Sequence, residues 1–278
     1  MSAHHDDLVI LEAGRKNRHY LAEVWDHRRV FTHLAWRDLR VRYAQTALGV
    51  AWGLIRPGLA MAVYTFVFGS LAALPSLGDT PYPLLVLCGL LPWQLFSSGL
   101  LHASQSLVLN RGLVTRTWFP RVILPAAAVV NGVFDFLVAL VVLLTLLVGF
   151  GLPLQPTLLL VPLFAVLALV PALGLGLWLS ALNTRYRDFA YLMPFMLQLG
   201  QFLSPVGFAS GIVPPAWRDL YGLNPLVGAI DGLRWCLLPG APTPRAFDLC
   251  ASLLVSLLLL VSGYVFFRRR EGGFADHI

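Results

Sequence analysis

Long apolar stretches constrain the fold of this 278-residue chain more than any other feature. A helix needs about 20 mostly apolar residues to cross a bilayer. Six stretches approach that length, at about 48–72, 83–105, 122–150, 157–182, 189–209 and 247–267. Of all residues, 58% are hydrophobic and 12% are charged, whereas soluble domains carry about 25% charged residues. The sequence therefore predicts an all-α integral membrane protein with six transmembrane helices.

The fifth stretch differs from the others because proline and glutamine interrupt it. Pro194 and Pro205 break the helical pattern, and Gln198 and Gln201 lie between them. Kinked helices with polar side chains usually face protein or a water-filled cavity rather than lipid. We therefore expect this helix to be bent and to face the interior of the bundle.

Basic residues give an orientation. If the six spans alternate, 16 of the 20 Lys and Arg residues fall on the side of the N-terminus. Three fall on the opposite side, Arg218, Arg234 and Arg245, between the fifth and sixth spans. Because loops rich in Lys and Arg stay in the cytoplasm, both termini are predicted to be cytoplasmic. Residues 1–47 are then a cytoplasmic N-terminal segment, and residues 48–278 form one six-span domain.

The N-terminal segment contains an amphipathic pattern. Apolar residues recur at helical spacing at Tyr20, Val24, Phe31 and Leu34, and charged residues occupy the other faces. This pattern predicts a helix that lies in the membrane interface. It serves either as a membrane anchor or as a contact helix for a cytoplasmic partner.

Two loops differ from ordinary connections. Residues 106–121, called the basic loop here, read SLVLNRGLVTRTWFPR and allow a short helix before Pro120. They are either a solvated loop or a docking helix for a motor subunit. Residues 211–245, called the long loop, contain an apolar part at 226–238 that is too short to span and predicts a re-entrant or interfacial segment. This segment is either an interfacial lid or an outer gate.

The residues give little support for a nucleotide site, a metal site or a nucleic-acid-binding surface. Lys16 is the only lysine and follows no glycine-rich turn, so the chain has no P-loop. Cys88, Cys236 and Cys250 have no metal or redox spacing. The basic residues lie between apolar spans instead of forming the stripe typical of nucleic-acid binding. We predict no cofactor, no metal and no nucleic-acid partner.

Three residues inside the spans leave alternatives open. Ser98 and His102 are one helical turn apart, which weakly suggests a membrane enzyme, but such pairs normally join different helices. Asp135 lies near the middle of the third span, where a carboxylate is costly and a candidate for function. It makes either a structural polar contact or a contribution to transport.

Five separated motifs resemble one family. They are RDLRVRYAQTALGVAWGLIRP at 37–57, CGLLPWQLFSSGL at 88–100, SLVLNRGLVTRTWFPRVILP at 106–125, LNTRYRDF at 182–189 and NPLVGAIDGLRWCLL at 224–238. In this order they are similar to the membrane subunit of ABC-2 type exporters, in the branch that exports O-antigen, capsule and teichoic acid. Ala44 and Arg56 depart from the pattern, which commonly has lysine and glutamine there.

The resemblance implies a homodimer in the bacterial inner membrane with two copies of a separate ABC ATPase. It also implies an N-terminal interface helix, a coupling helix in the basic loop and an outer gate between the last two spans. The candidate coupling residues are Arg111, Arg116, Phe31 and Arg37, and the candidate gate residues are Trp217, Asp231, Arg234 and Trp235.

The implied substrate is a lipid-linked polysaccharide, and a drug, a lipid or another small molecule is the alternative. A channel for sugars favours aromatic faces and amides. The candidate channel residues are Tyr64, Trp93, Phe96, Gln198, Gln201 and Phe202. A membrane enzyme acting on lipid-linked sugars is the alternative from a different class.

Overall fold

The computed structural model describes residues 20–44 and 51–274, which are helical apart from short connections and contain no strand. The helices are α1 (Tyr20–Asp26), α2 (Arg28–Ala44), α3 (Ala51–Tyr64), α4 (Tyr82–Leu109), α5 (Arg111–Arg116), α6 (Ile123–Gly149), α7 (Val161–Asn183), α8 (Asp188–Leu203), α9 (Pro215–Gly222), α10 (Pro225–Leu237) and α11 (Ala246–Arg270). A π-helical turn, Thr65–Leu71, continues α3, and a 3₁₀ turn, Pro156–Leu160, leads into α7. The predicted all-helical fold is confirmed for this part of the chain.

Five helices in the described ranges are long and apolar enough to cross a membrane. They are Gly53–Leu71, Tyr82–Leu109, Ile123–Gly149, Pro156–Asn183 and Ala246–Gly273. Each corresponds to one of the predicted apolar stretches. The predicted start of the first span at 48, and with it the boundary between 47 and 48, lies outside the described residues.

The remaining stretch, 189–209, contains a shorter helix than predicted. Helix α8 has 16 residues and ends at Leu203, six residues before the predicted end. Ser204 adopts an extended conformation with φ −105° and ψ 153°, which the following Pro205 favours because its ring disfavours a helical residue before it. A sixth membrane crossing therefore stays a prediction.

Helix α4 is the centre of the bundle and contacts α3, α6, α7, α8 and α10. Small residues allow this close packing. A Cβ atom built on Gly99 would lie 3.4 Å from Val129, and one built on Gly176 would lie 2.6 Å from the Cβ of Ala103. The core of the bundle is therefore arranged around one buried helix.

Helices α7 and α11 approach each other most closely at two glycines. A Cβ atom built on Gly263 would lie 2.2 Å from the backbone oxygen of Gly174, so neither side of this contact has room for a side chain. Nearby, the rings of Trp178 and Phe266 stack with centroids 3.9 Å apart. This contact fixes the last span against the fourth.

The first span has little contact with the rest of the bundle. Of its most apolar 18 residues, only 6% are buried inside the bundle, against 78% for α4. Its exposed side chains include Leu59, Val63 and Phe66, each about 60% exposed. Most of this helix is thus available to lipid or to another chain.

Candidate functional site

A cleft of about 560 Å³ lies between α3, α4, α6 and α8. We call it the α3–α8 cleft. Its polar lining includes Arg56, Gln94, His102, Asp135, Gln198 and Gln201. Ionisable and amide side chains are costly in a membrane unless they face protein or water. Because they gather here, this cleft is a polar region inside a mostly apolar bundle.

Helix α3 supplies Arg56 to the cleft, and α6 supplies Asp135. A Cβ atom built on Gly53 would lie 4.0 Å from Oδ1 of Asp135, so the carboxylate faces α3, one helical turn from Arg56. Both residues, and His102, are engaged with neighbouring groups. The cleft therefore contains an anionic and a cationic side chain on adjacent helices.

The candidate channel residues divide into two groups. Trp93, Gln198 and Gln201 line the cleft. Tyr64 and Phe202 instead stack on each other beside it, with ring centroids 6.2 Å apart. These aromatic and amide groups therefore form one region at α3, α4 and α8.

Phe96, the last of the candidate channel residues, is 7% exposed and packs against Trp93 at 5.6 Å. Ser98 also lines the cleft, and its hydroxyl donates to the carbonyl of Leu95 in its own helix. The role of Phe96 in a channel stays a prediction.

The predicted amphipathic helix consists of two helices that bend at His27. Tyr20 and Leu34 are buried in a cluster with Val114 and Phe119 of the basic loop, and Phe31 packs against this cluster. The opposite face carries Trp25 and Trp36, which are 70% and 60% exposed. The apolar face is thus buried against protein, and a position of these helices in the membrane interface stays a prediction.

A hydrogen bond joins these N-terminal helices to the basic loop. Nη2 of Arg37 donates to Oδ1 of Asn110 at 2.7 Å and to Oδ1 of Asp38 at 2.7 Å. Asn110 immediately precedes α5, whose ends are Arg111 and Arg116, both exposed. Arg37 therefore lies next to the start of α5, and no sequence pattern pointed to Asn110 as its partner.

Arg234 is the largest fully buried side chain among the described residues, at 2% exposed. Its Nη1 donates to the carbonyl of Phe208 at 2.9 Å, and its Nη2 donates to Val206 at 3.1 Å and to Leu85 at 3.4 Å. Asp231, one turn earlier in α10, lies 3.6 Å from Nη1. Arg234 therefore ties α10 both to α4 and to the chain that follows α8.

Other side chains hold the same break after α8. The hydroxyl of Tyr82 donates to the carbonyl of Gly207, and the amide of Asn224 donates to the Ser204 hydroxyl at 3.0 Å. A helix end leaves carbonyl groups without helical partners. Here the donors bind acceptors in the residues directly after the helix end and hold the chain where it leaves α8. The end of α8 at Leu203 is thus stabilised by three side chains from other elements.

The four candidate gate residues have different surroundings. Asp231 and Arg234 are in the buried part of α10, and burial raises the pKa of the Asp231 carboxyl while the guanidinium of Arg234 lowers it. Trp235 packs against the main core. Trp217 in α9 is 63% exposed. Helix α10 is therefore held firmly, whereas α9 is at the surface.

A helical bundle with several apolar spans and a polar cleft is a multi-pass membrane protein. Residues 29–238 match the ABC-2 type transporter family, and the chain belongs to that family. The resemblance deduced from the five motifs is thus confirmed, and the chain is a transporter subunit rather than an enzyme.

The chain is similar to named transport proteins over most of its length. It is 29% identical to the O-antigen export system permease protein RfbA of Myxococcus xanthus, over 92% of this chain and 98% of that protein. It is 25% identical to the protein of the same name from Klebsiella pneumoniae, over 86% of this chain and 91% of the relative. It is also 25% identical to the polysialic acid transport protein KpsM of Escherichia coli, over 84% and 91%.

Proposed function

We propose that this chain is the permease subunit of an ABC exporter that moves a lipid-linked polysaccharide outward across the bacterial inner membrane. A separate ATPase supplies the energy. The observation that carries this proposal is the similarity to O-antigen export permeases over nearly the whole of both chains. The lining of the α3–α8 cleft supports it, since aromatic faces and amides suit sugar rings and hydroxyl groups.

The α3–α8 cleft is part of the translocation path. Trp93 offers a ring, and Gln198 and Gln201 offer amides that both donate and accept hydrogen bonds. Tyr64 and Phe202 continue the aromatic surface next to it, and Phe96 supports the Trp93 ring. Asp135 faces this path beside Arg56, and the two opposite charges limit the cost of carrying either of them in the membrane.

Two copies of the chain form the channel. The first span is almost unburied in one copy, and α8 exposes Tyr191, Phe195 and Phe202, each by more than half. A second copy would cover these surfaces and close the cleft. The fifth crossing then consists of α8 together with residues 204–209, which gives six spans in each copy.

The positive-inside rule supports an orientation with both termini in the cytoplasm. Helices α1 and α2 then lie at the cytoplasmic membrane surface as the interface helix. Helix α5 is the coupling helix and presents Arg111 and Arg116 to the ATPase. The hydrogen bond between Arg37 and Asn110 joins these two contact elements.

On the opposite side, α10 forms a re-entrant segment and α9 forms the movable part of the outer gate. Arg234 and Asp231 anchor α10, so gate movement is concentrated at α9 and Trp217. Trp235 packs at the junction between α10 and the core.

The transport cycle follows from this arrangement. ATP binding closes the ATPase dimer, which moves α5 and the interface helix. The spans respond, the channel between the two copies opens, and the polymer moves outward. Two ATPase copies match the two coupling helices of the permease dimer.

Cysteine labelling tests whether the cleft belongs to the path. The natural cysteines Cys88 and Cys236 are buried, and Cys250 is exposed, so the background variant is C250S. A cysteine at position 198 should react with a water-soluble maleimide, and polymer stalled by an ATPase-dead partner should protect it. The matched control is L163C, because Leu163 is 62% exposed on an apolar helix and faces lipid, where a maleimide does not react.

Absence of protection at position 198 in the stalled complex would contradict a path through the cleft.

A separate comparison tests coupling. R37M, which removes the hydrogen bond to Asn110, should reduce export while the ATPase still copurifies with the chain. Unchanged export in R37M would mean that the two contact elements act independently.

A further inference from the structure

The last span ends in a junction that joins three separate parts of the chain. Glu271 follows α11 directly and is 12% exposed. Its Oε1 accepts hydrogen bonds from the hydroxyl of Tyr20 at 2.8 Å and from the backbone N–H of Arg121 at 2.9 Å. Its Oε2 is paired with the guanidinium of Arg268. One carboxylate therefore links α1, the end of the basic loop and α11.

Neighbouring contacts make this junction tight. The guanidinium of Arg121 donates to the backbone carbonyl of Glu271, and the guanidinium of Arg268 lies 3.4 Å from the centroid of the Tyr20 ring. Burial, followed by the adjacent Glu271 carboxylate, raises the pKa of the Tyr20 phenol, so Tyr20 stays a neutral donor. Charge-assisted hydrogen bonds of this kind are stronger than neutral ones.

The other end of α11 contacts the long loop. The hydroxyl of Ser252 accepts the backbone N–H of Gly228 in α10 at 3.0 Å. A Cβ atom built on Gly222, at the end of α9, would lie 2.4 Å from Oδ1 of Asp248. Helix α11 is therefore in close contact with both α9 and α10.

Between these two ends α11 is one continuous helix of 25 residues. At about 1.5 Å per residue such a helix is roughly 37 Å long, which is enough to connect the two sides of a membrane. No proline interrupts it between Ala246 and Arg270. A continuous helix transmits a displacement of one end to the other, because its backbone hydrogen bonds resist local bending.

We infer that α11 connects the coupling elements to the outer gate and that Glu271 fastens it to them. Glu271 acts as a positioning residue, because it contacts neither the ATPase-facing arginines nor the α3–α8 cleft. This inference rests on the proposed function, in which the basic loop contacts the ATPase and α9 belongs to the gate. It adds a specific route from one to the other.

Glu271→Gln is the sharpest test because it preserves the size of the side chain. The amide has only one oxygen, so its NH₂ group must face either Arg268 or the two donors Tyr20 and Arg121. Either orientation sets donors against each other and removes the ion pair. Glu271→Asp keeps the charge and should retain more function. Asp26→Asn is the matched control, since Asp26 is an exposed acid at the same end of the molecule.

Two measurements are made on the complex of this chain with its ATPase subunit. For E271Q we expect polymer export to fall by roughly fivefold or more, with ATP hydrolysis within about twofold of wild type. After nucleotide trapping, hydrogen exchange at 111–116 should change both in wild type and in E271Q. At the gate helix α9, residues 215–222, it should change in wild type only. D26N should behave like wild type in both measurements.

Three outcomes would decide the question. Wild-type export by E271Q would overturn the inference. Loss of assembly and ATP hydrolysis together with export, in E271D as well, would overturn it in favour of a purely structural junction. If the wild-type complex moves no polysaccharide while the exchange at 215–222 still depends on Glu271, then the proposed substrate is wrong and the route through α11 stands.

Discussion

Replacing Arg234 by methionine should destabilise the protein more than any other single change to an arginine in the long loop. The variant keeps much of the apolar stem but leaves the carbonyls of Val206 and Phe208 without donors and Asp231 without its nearby cation. Each buried acceptor without a partner costs about 1–3 kcal/mol. The hydrogen bond to Leu85 is long, at 3.4 Å, and contributes least.

Part of this cost is offset. The Nε of Arg234 is buried without a hydrogen-bond partner among the described residues, so methionine also relieves an unsatisfied group. Removing one partner of a buried ion pair typically costs about 3–5 kcal/mol, and we take about 4 kcal/mol here. At about 2–4 °C per kcal/mol for a domain of this size, the unfolding midpoint should fall by roughly 10 °C.

The assay is a thermal unfolding scan of purified protein in lipid nanodiscs, with R218M as the control. Arg218 belongs to the same loop and is only half-buried, so its replacement should change stability by about 0.5 kcal/mol or less. R234K should be intermediate, because lysine keeps the charge while its single nitrogen cannot reach all the carbonyls. Equal midpoints for R234M and wild type would refute the assignment of Arg234 as the anchor of α10.

The pH dependence of the R234M effect gives a second check. Without the guanidinium, the pKa of Asp231 should rise further above its ordinary value, because the charge that most strongly opposes the effect of burial is lost. The folded state then binds a proton more tightly than the unfolded state, so the stability loss of R234M should be largest at neutral pH. It should shrink as acidification protonates Asp231. A loss independent of pH would mean that Asp231 does not contribute to it.

Three further predictions concern the helix contacts, the missing nucleotide site and α9. G263A should destabilise the protein by about 1–3 kcal/mol, because its Cβ would lie 2.2 Å from the backbone oxygen of Gly174. G58A should be neutral in the same unfolding scan, because a Cβ there would have nothing within 4 Å. The purified chain without its partner should release no phosphate from ATP, since its only lysine, Lys16, does not belong to a P-loop. An ATP hydrolysis rate that a mutation in this chain abolishes would disprove this. W217A should change stability by about 0.5 kcal/mol or less, because Trp217 is 63% exposed, and a large loss would place this side chain in the core instead of on a movable helix.

Most helix positions followed from the sequence because apolar length alone determines them. The stretch predicted at 122–150 corresponds to helix Ile123–Gly149, and the one at 83–105 corresponds to helix Tyr82–Leu109. In both cases the backbone has no alternative to helical hydrogen bonds inside a membrane. The break after Leu203 was less predictable, since it depends on donors from Tyr82, Asn224 and Arg234 that lie far away in the sequence.

The candidate site was predictable in part for the same reason. Gln198, Gln201 and Asp135 were recognised because a polar residue in an apolar span is conspicuous, and all three line one cleft. Arg56 gave the same signal at the edge of the first span. Glu271 gave none, because it is an ordinary acid after α11, and two of its three partners are 150 and 251 residues away.

The most direct test of the central claim is to delete the gene in its host and compare surface glycan with intracellular lipid-linked glycan. Export of a lipid-linked polysaccharide predicts that the glycan disappears from the surface and accumulates inside, and that the wild-type gene restores it. The accumulated material then identifies the substrate. Unchanged surface glycan, with no intracellular accumulation, would contradict the claim and favour a drug, a lipid or another small molecule as the transported compound.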